Sequence, residues 1–181
     1  MEQRFIVSNS VSYVVPRQNS QLRISVHRYD VFVSFRGEDV RNNFVDHLFG
    51  ALSKNNITIF KDDTKLNKGE AIAPQLLHAI EGSRVLIVVF SKNYASSTWC
   101  LRELAKIVDC LNLSTKQNCV LPIFYDVAPS DVRKQSGNYE KAFGEHEERF
   151  KENKQMMVQI QKWKEALTQV ANVSGWNLQN K

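Results

Sequence analysis

The chain has 181 residues, of which 43% are hydrophobic and 24% charged, and it contains only 7 Gly and 4 Pro. This length suits one α/β domain with a tail, and the composition excludes collagenous, low-complexity and wholly disordered chains. The longest apolar run, residues 85–90, is far shorter than the roughly 20 residues needed to cross a bilayer. Three cysteines without a CxxC pair argue against a disulfide framework or a zinc site and fit a reducing compartment.

The net charge of +5 is distributed unevenly along the chain. Residues 1–28 carry four Arg against one Glu, so the remainder is nearly neutral and nucleic acid is disfavoured as a partner. These first residues are rich in Ser, Asn, Gln and Arg without sustained periodicity, and we interpret them as a flexible N-terminal extension. A transit peptide or a secretory signal is less favoured, because neither a clear amphipathic helix nor an apolar core segment is visible.

From residue 29 onward, apolar strands alternate with amphipathic helices. Strands are predicted at 30–35, 57–60, 84–90 and 119–125, and helices at 41–54, 74–82, 99–113, 139–150 and 155–173. Each strand is a short run of β-branched and aromatic residues, typical of strands buried on both faces of a parallel sheet. The alternation predicts right-handed crossovers and a doubly wound α/β fold, which binds ligands beyond the carboxyl ends of its strands.

The residues after each predicted strand exclude several common sites of such folds. The first strand is followed by the sequence RGED, which is neither a GxGxxG dinucleotide motif nor a P-loop. The chain contains no GxSxG nucleophile elbow. The third strand ends at Phe90 and Ser91 rather than at an acceptor aspartate, which disfavours a phospho-receiver. The four His are scattered singly, so no metal site is predicted.

The first of three loops at this edge contains Arg36 and Gly37. Gly37 permits a tight turn, and the Arg36 guanidinium could bind a phosphate or a carboxylate. The alternative is that Arg36 pairs with Glu38 or Asp39 at the start of the next helix, and the sequence leaves both interpretations open.

The second loop follows the second predicted strand and runs over residues 62–74. It is polar and about twice as long as the usual connection of roughly 2 to 6 residues. Long loops at this edge are often functional lids, and the alternative is a solvated insertion stabilised by its own charge pairs.

The third loop leads into a helix that carries Trp99 and Glu103, four residues apart at the border of its apolar face. A carboxylate near a helix N-terminus lies in a positive field, and it could bind sugar hydroxyls or stabilise developing positive charge while the indole covers a ring. The alternative is that Glu103 pairs with Lys106 and that Trp99 belongs to the core. The spacing alone favours this alternative.

Three segments in order, 29–39, 99–104 and 121–133, resemble the Toll/interleukin-1 receptor (TIR) domain of plant immune receptors. They read YDVFVSFRGED, WCLREL and LPIFYDVAPSDVR. The resemblance covers residues 29–176 and leaves 177–181 as a C-terminal tail or linker. It implies a flavodoxin-like three-layer sandwich, in which a five-stranded parallel sheet has helices on both faces and the last strand is short. It also implies a longer receptor with nucleotide-binding and leucine-rich-repeat parts.

The resemblance further implies an enzyme, an NAD+ nucleosidase that releases nicotinamide and ADP-ribose or cyclic ADP-ribose once the domains cluster. NAD+ is then the substrate, and no cofactor or metal is expected. Glu103 matches the catalytic glutamate. The substrate-binding positions implied are Arg36, Gly37, Phe60, Trp99, Ile72 and Ala73, with residues 62–73 as the loop that must open. An oxocarbenium-like transition state needs a nearby carboxylate, and nicotinamide leaves as a neutral molecule, so no proton donor is required.

The resemblance also implies self-association, with other TIR domains and the rest of the receptor chain as partners. The expected location is the cytoplasm or the nucleus, and no membrane is expected as a partner. Plant TIR domains often carry Ser-His on the first helix where this chain has Asp46 and His47. His47 fits, whereas two Asp46 carboxylates at a twofold contact would weaken it unless a basic residue compensates.

Two other functions remain open at this point. One is a non-catalytic adaptor that only assembles with other TIR domains. The weaker one is nucleic-acid binding, suggested by the basic N-terminal extension together with Lys61, Lys65 and Lys68.

Overall fold

The structure is a computed structural model that describes residues 28–60, 74–112 and 119–179. Five parallel strands form one sheet in the order β2-β1-β3-β4-β5. The strands are β1 (Tyr29–Phe35), β2 (Ile59–Phe60), β3 (Ser83–Phe90), β4 (Cys119–Tyr125) and β5 (Trp176–Leu178). The predicted flavodoxin-like fold is confirmed. In this strand order, the chain reverses direction across the sheet between β1 and β3, which is where such folds bind ligands.

The helices are α1 (Gly37–Val40), α2 (Asp46–Lys54), α3 (Pro74–Glu81), α4 (Thr98–Asn112), α5 (Pro129–Lys134), α6 (Asn138–Phe150) and α7 (Lys154–Ala171). A π-helical turn over Arg41–Val45 joins α1 to α2, and a 3₁₀ turn over Tyr94–Ser96 precedes α4. The first helical segment begins four residues earlier than predicted, directly after Arg36. The short helix α5 was not predicted, because six residues are too few to show a helical apolar period.

Alternate residues of the strands face opposite layers, as the two-residue period of a strand requires. One face carries Phe32, Leu86, Val88, Phe90 and Phe124, which form a buried cluster with apolar residues of helices α3 to α7. The other face carries Val31, Val33, Ile87, Val89 and Ile123, which pack against the segment from α1 to α2. The sheet therefore lies between two helical layers.

The edge strand β5 depends on a close approach at Gly175. A Cβ atom added there would lie 2.2 Å from the carbonyl oxygen of Pro122 on β4, so only glycine fits without a shift. Asn177 and Leu178, which we expected in a C-terminal tail or linker, belong to this strand, because they pair with Phe124 and Tyr125 of β4.

Several predictions concern parts of the chain that the structure does not describe. The N-terminal extension up to residue 27, the loop residues 62–73 with Ile72 and Ala73, and the lysines at 61, 65 and 68 all lie outside the described residues. Among the helices that are described, none combines the length and the apolarity that a membrane crossing needs.

Candidate active site

The carboxylate of Glu103 is hydrogen-bonded to β1 near the C-terminal end of that strand. The residue lies on the second turn of α4 and is only 6% exposed. The Ser34 hydroxyl, on the last-but-one residue of β1, donates a hydrogen bond of 2.5 Å to Glu103 Oε2. Since β1 borders the reversal point of the sheet, this contact places the predicted catalytic group at the ligand-binding edge of the fold.

A buried tyrosine extends this contact. The Tyr94 hydroxyl lies 2.9 Å from Ser34 Oγ and 3.1 Å from the Cys100 carbonyl oxygen. Each hydroxyl has one proton, so when Ser34 donates to Glu103, Tyr94 donates to Ser34 or to the carbonyl. Burial raises the pKa of Tyr94 well above its usual value, with smaller contributions from Cys100 and Glu103. Tyr94 therefore stays a neutral donor.

The neighbouring thiol of Cys100 is not a nucleophile. Its Sγ lies 3.5 Å from the Phe35 carbonyl oxygen and is buried. Burial and then the charge of Glu103 raise the pKa of Cys100 far above its ordinary value, so the reactive thiolate does not form near neutral pH.

The Arg36 guanidinium makes ion pairs with two carboxylates of its own loop. It contacts Glu38 Oε2 through Nη2, and its Nε lies 3.3 Å from Asp39 Oδ1. The alternative that the sequence left open, pairing with Glu38 and Asp39, is thus the arrangement observed. A phosphate that binds Arg36 has to compete with these two groups.

Asp39 ties the loop after β1 to the loop after β3, a role that the sequence analysis missed. It accepts hydrogen bonds from Ser91 Oγ at 2.6 Å and from the Asn93 backbone N–H at 3.0 Å. The same loop is held from α6, where Tyr139 donates to the Ser91 carbonyl at 2.8 Å. No pattern in the sequence could have found these contacts, since the partners are 48 to 54 residues apart.

His146, one of the four histidines that lie singly in the sequence, is buried and supports this loop. Its Nε2 lies 2.8 Å from the Ala95 carbonyl oxygen, which can only accept, so Nε2 carries the proton. The ring packs edge-on against Trp163 of α7. Within the described ranges, no group of three or more His, Cys, Asp or Glu could hold a metal ion.

Phe60 and Trp99 are half-buried members of the larger apolar cluster. Phe60 ends β2 and packs on Tyr29 and Phe32 of β1, with ring centroids 5.3 Å and 6.0 Å away. Trp99 lies on the first turn of α4, one turn before Glu103. Both aromatic residues therefore lie on the side of the sheet that is covered by α4, and both contribute to packing.

The remaining predicted site residues lie on the helical segment after β1. Gly37 opens α1, where an added Cβ would come within 3.2 Å of Arg41 Nε. Asp46 and His47, predicted for self-association, are both exposed on α2.

Comparison with known proteins decides the family. The model of the TIR domain matches residues 28–181. The chain belongs to the TIR domain family. This TIR domain is 53% identical over 150 residues to the disease resistance protein RPV1 of Vitis rotundifolia, covering 83% of this chain and 10% of that protein. It is 50% identical over 147 residues to the TMV resistance protein N of Nicotiana glutinosa, covering 81% of this chain and 12% of that protein.

A solved structure agrees with this assignment. The TIR domains in the structure of the activated Roq1 resistosome, which recognises the effector XopQ, match with a TM-score of 0.72 and 50% identity. The match covers 84% of this TIR domain and 89% of that chain. This TIR domain is thus of the plant disease-resistance kind, and it spans about a tenth of the length of the curated relatives.

Proposed function

We propose that this TIR domain is an NAD+ nucleosidase that acts when several copies associate, releasing nicotinamide and ADP-ribose or cyclic ADP-ribose. The observation that carries the proposal is the position of Glu103, a carboxylate at the ligand-binding edge of the sheet held by the Ser34 hydroxyl. NAD+ is the substrate in this proposal, and no further cofactor takes part.

The chemistry requires little of the protein. Cleavage of the N-glycosidic bond develops positive charge on the ribose, and an ionised carboxylate close to the ring stabilises that charge. Nicotinamide takes the bonding electron pair and leaves neutral, so one acidic residue is enough. Half-buried rings at Phe60 and Trp99 are suited to cover the planar groups of the substrate.

Activity requires local opening around Glu103 and Arg36. Glu103 is 6% exposed, and Arg36 is engaged by Glu38 and Asp39. A substrate therefore reaches the carboxylate only after local opening, and the energy for this comes from association between domains in our proposal. The presence of the similar Roq1 TIR domains in an activated resistosome supports this dependence.

We also propose that the domain serves as the TIR part of a longer disease resistance receptor in the cytoplasm or the nucleus. The names of the relatives and the small share of their length that this domain covers support the role in disease resistance and the longer receptor. A fluorescent fusion of the full receptor that accumulated in the secretory pathway would contradict the proposed location.

The test measures nicotinamide release from NAD+ by the purified domain, over a range of concentrations and on a clustering scaffold. We expect release to rise more steeply than protein concentration, and Glu103→Gln to lower it by about 100-fold or more, as for the loss of one electrostatic stabiliser. The control is Glu140→Gln, which changes an exposed carboxylate on α6. Release that survives in the Glu103 variant would contradict the assignment.

A second function is favoured by one specific observation, the burial of Glu103 and its bond to Ser34. These contacts give the carboxylate a structural role in the core. A non-catalytic adaptor, which only associates with other TIR domains, requires no chemical role for it. The same samples discriminate between the two functions. An adaptor shows self-association by sedimentation velocity and releases no nicotinamide at any concentration or on the scaffold.

A further inference from the structure

We propose that Ser34 is a positioning residue, which orients the Glu103 carboxylate for the reaction through the hydrogen bond to Oε2. This inference rests on the proposed function and adds a residue that touches neither substrate nor leaving group. Its basis is the geometry of three buried side chains, those of Ser34, Tyr94 and Glu103.

The backbone that carries the Ser34 hydroxyl is held by its pairing with β3, since, among the described residues, the pairing of β1 with β2 ends at Phe32. Strand β1 lies between β2 and β3, and Ser34 itself pairs with Val88 of β3. The residue is fully buried. A hydroxyl attached to a central strand therefore has a fixed position, whereas Glu103 reaches it through a longer side chain from α4.

The hydrogen bond between Ser34 and Glu103 has a charged acceptor, and such hydrogen bonds are stronger than those between neutral groups. The donor lies 2.5 Å from a carboxylate oxygen, and both residues are removed from water, where competition for the hydrogen bond is small. With its proton directed at Oε2, Ser34 can accept from Tyr94, 2.9 Å away. When Tyr94 donates to Ser34 rather than to the Cys100 carbonyl, it also orients the serine, and in both cases the serine orients the carboxylate.

The kinetic consequence follows from what Ser34 does not touch. Loss of its hydroxyl removes the hydrogen bond that orients Oε2, so the transition state loses stabilisation while binding of the substrate is little changed. We expect Ser34→Ala to lower kcat by about tenfold or more, as for the loss of one hydrogen bond to a charged group, with KM within about twofold of the original. Ser34→Cys keeps a weak donor, so its kcat should lie between those of the original protein and Ser34→Ala.

The chain offers a matched control in Ser83. It is also a fully buried serine on a strand of the same sheet, but its hydroxyl donates to the Ala79 carbonyl at 2.7 Å. Ser83→Ala should show a similar change in thermal stability and an unchanged kcat. If Ser83→Ala loses as much kcat as Ser34→Ala, or if Ser34→Ala matches or exceeds the original kcat, the positioning role is wrong.

A second measurement separates this inference from the proposed function. The carboxyl carbon of Glu103, observed by NMR in ¹³C-labelled protein, should shift in Ser34→Ala and not in Ser83→Ala, with or without NAD+. Should the original protein release no nicotinamide while this resonance shifts as stated, the proposed function fails and the Ser34–Glu103 contact stands. A resonance unaffected by Ser34→Ala overturns the inference whatever the activity.

Discussion

At the scale of single residues, helical spacing and tertiary contacts give different partners to the same side chains. Spacing along α4 allows Glu103 to pair with Lys106, yet Lys106 Nζ lies 2.5 Å from Glu81 on α3. Glu103 accepts instead a hydrogen bond from Ser34, 69 residues away in the chain. The carboxylate could be found in the sequence, whereas its buried hydroxyl partner could not, since serine in a strand carries no signal of its own.

The three cysteines lead to a prediction at the same scale. Cys119 is exposed at the start of β4, whereas Cys100 and Cys110 are buried. Because burial raises the pKa of Cys100, its thiolate is scarce and inaccessible. We expect iodoacetamide at pH 8 to modify Cys119 in the folded protein at least about tenfold faster than Cys100.

Peptide mass spectrometry over time measures this difference. The control is the same reaction in denaturant, where all three thiols should react at similar rates. Modification of Cys100 in folded protein as fast as that of Cys119 would show that the layer around Glu103 opens readily.

At the scale of elements, long periodic segments were predicted well and short ones were not. Strands β1, β3 and β4 differ from their predicted bounds by at most one residue, because each consists mainly of β-branched, aromatic and other apolar residues. Helix α5 and strand β5 have 6 and 3 residues and are fixed by neighbours rather than by a pattern of their own. For β5, the neighbour is β4, and the close contact at Gly175 is what allows pairing.

A glycine substitution tests the docking of β5. In Gly175→Ala, the added methyl carbon would lie 2.2 Å from the Pro122 carbonyl oxygen, so the edge strand has to move. We expect the free energy of unfolding in urea to fall by about 1–3 kcal/mol. Gly144→Ala on α6 is the matched control, since its methyl group meets nothing within 4 Å. There, alanine should be neutral or stabilising by about 0.4–1 kcal/mol. Equal stabilities of the two variants would contradict the steric account.

At the scale of the whole molecule, buried tyrosines couple global stability to high pH. Tyr94 and Tyr139 are both buried, and burial is the main reason that the pKa of each lies well above its usual value. Below about pH 10 both folded and unfolded chains keep these protons. Above it, the unfolded chain releases them and the folded one does not, so stability falls as the pH rises.

We therefore expect the free energy of unfolding to decrease above about pH 10 by up to about 1.4 kcal/mol per pH unit for each of the two tyrosines. Urea unfolding at several pH values from 8 to 11 measures the slope. Tyr139→Phe should cost about 0.5–1.5 kcal/mol at pH 8, because the Ser91 carbonyl loses one hydrogen bond and keeps the one from the Tyr94 backbone N–H, and it should then show a shallower decrease. A slope unaffected by the substitution would exclude Tyr139 as a source.

The sequence by itself determined the alternation of strands and helices, the family and the position of Glu103 on its helix. These follow from local patterns, since apolar period and motif spacing are properties of neighbouring residues. Only the tertiary structure decided which loops meet, through Asp39, Tyr139 and His146, and that Arg36 is paired within its own loop. It also decided that Glu103 is buried beside Ser34. Burial and hydrogen bonding depend on groups that are distant in the chain and adjacent only after the sheet has formed.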